Sequence, residues 1–194
     1  MIHGCIDGYS RRVVYLQCSD NNRSQTVLTA FLDEVRRLGL PKRVCADKGG
    51  ENIEVAAFML QHPLRGTGIG CFITGRSVHN QRIERLWHDL FYQCTILFYR
   101  LFHHMEDMGP LNADDEIHIF CLHYVYLPRI NQAISSFTQA WNNHPLSSEG
   151  NLSPIQLWIS GLHCTGPESE ITDSLELTEG KLFVCYTCVW LLNS

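Results

Sequence analysis

The sequence predicts an α/β domain built on a mixed sheet. Three observations carry this. Apolar, β-branched runs and stretches of helical periodicity follow in the order strand, strand, helix, strand, helix, strand, helix. The first two strands are joined by a short turn, which makes them an antiparallel hairpin in an otherwise strand–helix pattern. With 194 residues, 45% of them hydrophobic, the chain suits one globular domain with an appendage.

Ile2–Ile6 and Arg12–Cys18 are the two hairpin strands, and Asp7-Gly8-Tyr9-Ser10 supplies the turn chemistry. Asp20-Asn21-Asn22 is a loop. From Ser24 to Leu40, Val27, Leu28, Phe31, Val35 and Leu38 recur at three- and four-residue steps, and Gly39 and Pro41 bracket the stop. Arg43–Ala46 is a short buried strand ending at Asp47, followed by the turn Lys48-Gly49-Gly50. Ile53–Gln61 is a short helix and Cys71–Ile73 a short strand, between glycine-bearing loops. A long helix is expected from about Asn80 to about His104, with Ile83, Leu86, Trp87, Leu90 and Phe91 as its apolar stripe. His118–Leu127 is apolar, and Pro128 is expected to start or kink a helix running to Trp141.

Charge is unevenly spread. Residues 1–100 hold 13 Lys and Arg against 9 Asp and Glu, whereas residues 101–194 hold 2 against 11. A weakly basic half joined to an acidic half bears on partners more than the net −5 does. The nine cysteines are odd in number and scattered through core segments, which reads as buried, reduced thiols in an intracellular setting. No apolar run is long enough for a membrane helix, and the start lacks the features of a secretory signal. Cys185-Tyr186-Thr187-Cys188 is a lone CxxC without a second pair, better read as an apolar strand than as zinc ligands. The histidines 103, 104, 118, 123 and 144 lack ligand spacing.

Two carboxylates stand out by position. Asp47 ends an apolar strand before a Gly-Gly turn, where the backbone can leave the sheet sharply and where ligands of α/β sheets collect. Glu84 lies in the first turns of the long helix, whose positive dipole end favours an acid. The two are separated by 36 residues. Two such hard oxygen donors suit Mg²⁺, and a two-metal site built on them would activate water or a 3′-hydroxyl and stabilise the leaving oxygen. Taken singly, Asp47 reads as an ordinary turn aspartate and Glu84 as a dipole partner of Arg82 or Arg85.

The surroundings of both acids change that balance. "CADKGGEN" resembles the Asp-x-Gly-x-Glu strand-end motif of retroviral integrases and related transposases. "HNQRIERLW" resembles the segment that carries their glutamate, and "WNNHPLSSEGNLSPIQLW" the aromatic-Asn and Ser/Thr-Pro stretch beyond their core. The three matches fall in the family's order, and the interval between the acids is close to its own. The chain is thus similar to the integrase core domain of the ribonuclease-H-like superfamily, especially to transposon-derived proteins of animal genomes.

The resemblance implies a five-stranded mixed sheet flanked by helices, a divalent metal cofactor (Mg²⁺ or Mn²⁺), and cleavage and transfer of DNA strands. It makes Asp47 and Glu84 catalytic metal ligands. It places Lys48, Asn80, Gln81, Arg82 and Arg85 at the DNA, and gives Glu51 a structural role. "IDGYSR" resembles the family's second strand and turn, so Asp7 is a turn residue and only the less favoured candidate for the first acid. That acid is expected on a preceding strand, which this sequence lacks, so Ile2–Ile6 is expected to have an open edge. Residues 1–161 are read as the core with a helical C-terminal extension, and 162–194 as a divergent or poorly ordered tail. The partners implied are DNA and other copies of the chain, with no membrane, in an intracellular and nuclear location. The alternative is a domesticated, non-catalytic nucleic-acid-binding or protein-interaction domain that keeps the fold.

Overall fold

A computed structural model describes residues 1–65, 70–74, 81–164 and 182–188 of the chain; for 81, 82, 163, 164 and 182–188 it describes the backbone only. The elements are β1 (Ile2–Asp7), β2 (Val13–Cys18), α1 (Ser24–Leu38), β3 (Arg43–Ala46), α2 (Ile53–Gln61), β4 (Phe72–Thr74), α3 (Gln81–Leu90), α4 (Ile96–Asp107), α5 (Glu116–Asn143), α6 (Pro154–Cys164) and β5 (Leu182–Cys188). A wider turn of helix, Phe91–Thr95, carries α3 into α4.

The sheet has five strands in the order β2-β1-β5-β3-β4. β1 runs antiparallel to both β2 and β5. β3 runs parallel to both β5 and β4. The mixed α/β class expected from the sequence is therefore the class observed. The expected open edge on β1 is not: β5, drawn from the apolar run near the end of the sequence, pairs with every residue of β1. The reason is that a strand of β-branched and aromatic residues can seat wherever unpaired backbone groups need partners, whatever its place in the chain.

Side-chain alternation divides the core into two layers. Ile2 and Ile6 pack with Ile83, Leu86, Leu90, Ile130, Ile134 and Trp141 on one face. Cys5 and Val44 pack with Val27, Phe31, Val55 and Met59 on the other. All six residues of β1 are buried, as befits an inner strand covered on both sides. Phe31 and Leu86 are wholly buried, and each such side chain contributes about 1.5–3 kcal/mol relative to exposure. Gly4 lets α3 come close. A Cβ there would lie 2.8 Å from the Trp87 indole and 2.7 Å from Leu16, so the indole rests on bare backbone.

α5 begins before Pro128 and not at it. It is one continuous helix with Pro128 inside it. The proline faces solvent, and the carbonyl it leaves unbonded, that of Tyr124, belongs to a residue that is 77% exposed. Water can satisfy that carbonyl, so the helix continues.

The same helix closes the free edge of β2. Asn131 accepts from Cys18 N at 2.8 Å and donates to Cys18 O at 2.9 Å. Asn142 does the same with Val13, at 2.8 and 3.3 Å. Each carboxamide imitates the peptide group of a neighbouring strand. The spacing fits: eleven helical residues rise about 16 Å, and five strand residues span about the same. Eleven residues are also close to three full turns, so both amides share one face.

Two outcomes follow from this arrangement. Asn131→Ala and Asn142→Ala should each cost about 1–2 kcal/mol in urea unfolding, because each strands a backbone pair at the sheet edge, and the two losses should add at this separation. Val184→Pro should abolish the cooperative transition altogether, because Val184 pairs with Ile6 on one side and Cys45 on the other and proline breaks inner-strand ladders. An unchanged urea midpoint for either asparagine variant would sink the edge-closing role.

Candidate metal and nucleic-acid site

The turn after β3 is organised around Asp47. Gly49 N donates to Asp47 Oδ1 at 3.3 Å and Asn52 Nδ2 donates to the same oxygen at 2.8 Å. Asn52 Nδ2 also reaches Glu51 Oε1 at 3.4 Å. Residues Gly50–Asn52 form a 3₁₀ turn that leads into α2 and buries both Glu51 and Asn52. Gly49 leaves room for the Glu51 carboxylate to fold against the turn, where a Cβ would displace it. Burial lifts the Asp47 carboxyl above its ordinary pKa, and the nearby Glu51 charge adds to the lift.

Strand register places the other acids. Gly4 pairs with Tyr186, and Ala46 pairs with Cys185. Asp47, one residue beyond Ala46, therefore stands level with Gly4. Trp87 lies over Gly4, and Glu84 sits one helical turn before Trp87, exposed to solvent. Helix α3 thus lies over Gly4, in the row of the sheet from which Asp47 leaves.

Asp7 lies elsewhere. It is in register with Phe183, which faces Val44, so its backbone is about 14 Å from that of Asp47 by strand rise and spacing. Its carboxylate is turned into its own hairpin, where Ser10 N and Ser10 Oγ both donate to Oδ2 at 2.7 Å. Asp7 is 2% exposed.

The basic side chains are variously engaged. Lys48 is exposed beside Asp47. Arg85 is 71% exposed and bonds Asp89 at 2.9 Å, one turn along α3. Asn80 falls outside the described residues, as do the side chains of Gln81 and Arg82. Arg11 holds Glu149 at 2.8 Å and Ser148 at 3.1 Å, and with Arg85, Asp89, Trp141 and His144 it lines a cavity of about 690 Å³. Arg12 stacks on Trp158 at 4.8 Å and is partly buried, which takes it away from the surface.

Among the described residues, no group of three or more His, Cys, Asp or Glu side chains is close enough to hold a metal ion. Asp47 and Glu51 are two such acids, and the third nearby oxygen belongs to an amide, Asn52 Oδ1. That oxygen is buried and unpartnered. Hard oxygen donors with excess negative charge fit a divalent cation. Sequence reasoning passed over Asn52, although it stands inside the quoted "CADKGGEN"; an amide one residue after an acid carries little signal until the turn is seen.

A family model for the integrase core domain matches residues 1–170. The chain belongs to the integrase core domain family. No curated protein matches it. Within this integrase core, no helix among the described residues is long and apolar enough to cross a membrane.

Asp7 gives a pH test of its structural role. Burial raises its pKa above the ordinary 3.8, against the bonds from Ser10. The folded state therefore holds the proton more tightly than the unfolded chain. The stability this supplies is full below the ordinary value and is lost as pH rises through the folded value. Asp7→Asn should gain stability relative to wild type as pH rises through that window, measured by urea unfolding at a series of pH values. A pH-independent difference would contradict the burial argument.

Proposed function

We propose that this integrase core acts on DNA, with Asp47 and Glu84 as ligands of Mg²⁺ or Mn²⁺ and strand cleavage and transfer as the reaction type. The family match across residues 1–170 carries the reading. Its support in the fold is one of register: Asp47, at the end of β3, stands level with Gly4, and the helix that bears Glu84 lies over Gly4. A bound divalent ion would activate a water or 3′-hydroxyl and stabilise the leaving oxygen. The protein's part is to hold oxygen ligands in a partly dry turn and to position a phosphate. Lys48 and Arg85 adjoin the two acids in the sequence, and Asn80, Gln81 and Arg82 precede Glu84 on its own segment, a suitable set for backbone contacts. DNA entering on this basic half would bring the core to the nucleus, and a second copy to a second strand.

One observation favours a second reading. The inner strand β5, Leu-Phe-Val-Cys-Tyr-Thr-Cys, contains no carboxylate, and Asp7 is spent on its own turn. The 194-residue chain then keeps the fold and binds DNA with little strand transfer, as a domesticated core would.

Purified protein should bind duplex DNA weakly, and binding should fall about tenfold or more between low and physiological salt if several phosphates are contacted. Strand transfer with Mg²⁺ or Mn²⁺ should be low. Robust transfer abolished by both Asp47→Asn and Glu84→Gln would establish the enzymatic reading and overturn the second. Binding that is absent or insensitive to salt would remove DNA as the partner.

A further inference from the structure

We infer that Glu51 and Asn52 complete, with Asp47, a site for one hard divalent cation on the turn between β3 and α2. The inference rests on reading Asp47 as a metal ligand, and adds two ligands which that reading lacks.

Asn52 is 3% exposed. Its Nδ2 spans Asp47 and Glu51, while its Oδ1 is buried with no partner. A buried amide oxygen left without a donor bears its full desolvation cost, and it lies on the same planar group as the nitrogen that joins the two acids. The second observation is electrostatic. Glu51 is 9% exposed, its carboxylate shares the Asn52 amide with that of Asp47, and no salt bridge among the described residues reaches either acid. Two crowded carboxylates without a counter-charge are costly. Lys48 is exposed rather than folded over them. The buried ring of His3 is engaged through Nε2 with Ser19 Oγ at 2.8 Å and Asn21 O at 3.1 Å.

Both known bonds to Asp47 fall on Oδ1, so Oδ2 remains for a ligand. Gly49 leaves space for the Glu51 carboxylate to fold back over the turn, space that a side chain there would take. Two carboxylates and an amide oxygen, held within six consecutive residues, are an all-oxygen donor set. Mg²⁺, Mn²⁺ and Ca²⁺ use such sets, with water completing the shell.

The test uses the full chain and Mn²⁺ alone, with free Mn²⁺ read by electron paramagnetic resonance and stability by thermal melting. Wild type should bind Mn²⁺ and melt higher with it. Glu51→Gln should weaken binding by about tenfold or more, a loss already typical of groups that merely support a ligand. It should also lose the Mn²⁺-induced rise in Tm, while its metal-free Tm is unchanged or higher because a like-charge contact is gone. A lower metal-free Tm with Mn²⁺ affinity within about twofold of wild type would make Glu51 structural and overturn the inference. Binding lost in Asp47→Asn but kept in Glu51→Gln would overturn it too, while leaving Asp47 as a ligand. Binding that is absent in wild type, or indifferent to Asp47→Asn, would end both readings.

Discussion

The sheet is continuous because Leu182–Cys188 lies between β1 and β3. Without that ladder, β1 and β2 would form one hairpin and β3 and β4 a separate parallel pair. The rest of the molecule depends on the junction. β1 is an inner strand because a neighbour pairs with each of its edges, and the two core layers bury its two faces. The row that sets Gly4 level with Asp47 runs through Tyr186. Helix α3, with Glu84 on it, is anchored on Gly4 through Trp87. The relative placement of the two candidate acids is thus inherited from a strand that carries neither.

Much of this was legible in the sequence. α2 has the expected limits, and β1, β2, α1, β3 and β4 agree to within a residue or two. Their signals are local: alternation, three- and four-residue steps, and turn residues at the right places. What escaped was long-range. Nothing in "LFVCYTC" says that it pairs with β1 across most of the chain. The proline in α5 looked like a boundary or a kink, and its cost depends on whether water reaches the freed carbonyl, which only the packing decides. Asn131 and Asn142 are ordinary helix residues until β2 is seen beside them.

The candidate site divides along the same line. Asp47 and Glu84 could be singled out because their positions, at a strand end and in the first turns of a helix, are readable from pattern. Asp7 had the same sequence dress, yet its carboxylate closes a hairpin through Ser10. Glu51 and Asn52 were invisible as a pair because their interest lies in burial and in a missing partner. The basic half is also less uniform than its charge implies. Arg11 and Arg12 spend their guanidinium groups on Glu149 and Trp158, so fewer cations face solvent than the count in the sequence indicates.

The position of β5 has a kinetic consequence. Its contacts with β1 join segments roughly 180 residues apart in the chain, so the contact order of the sheet is high and loop closure must precede much of its pairing. During synthesis the inner strand is the last of the five to leave the ribosome. Until then the hairpin of β1 and β2 and the pair of β3 and β4 each present an unsatisfied apolar edge, the kind of surface through which nascent chains associate. The α5 amides that cover β2 guard only the outer side of that hairpin. Folding of this core is therefore expected to lean on whatever shields the inner edge of β1 while the chain is unfinished, and to be slower than its helical content alone would indicate.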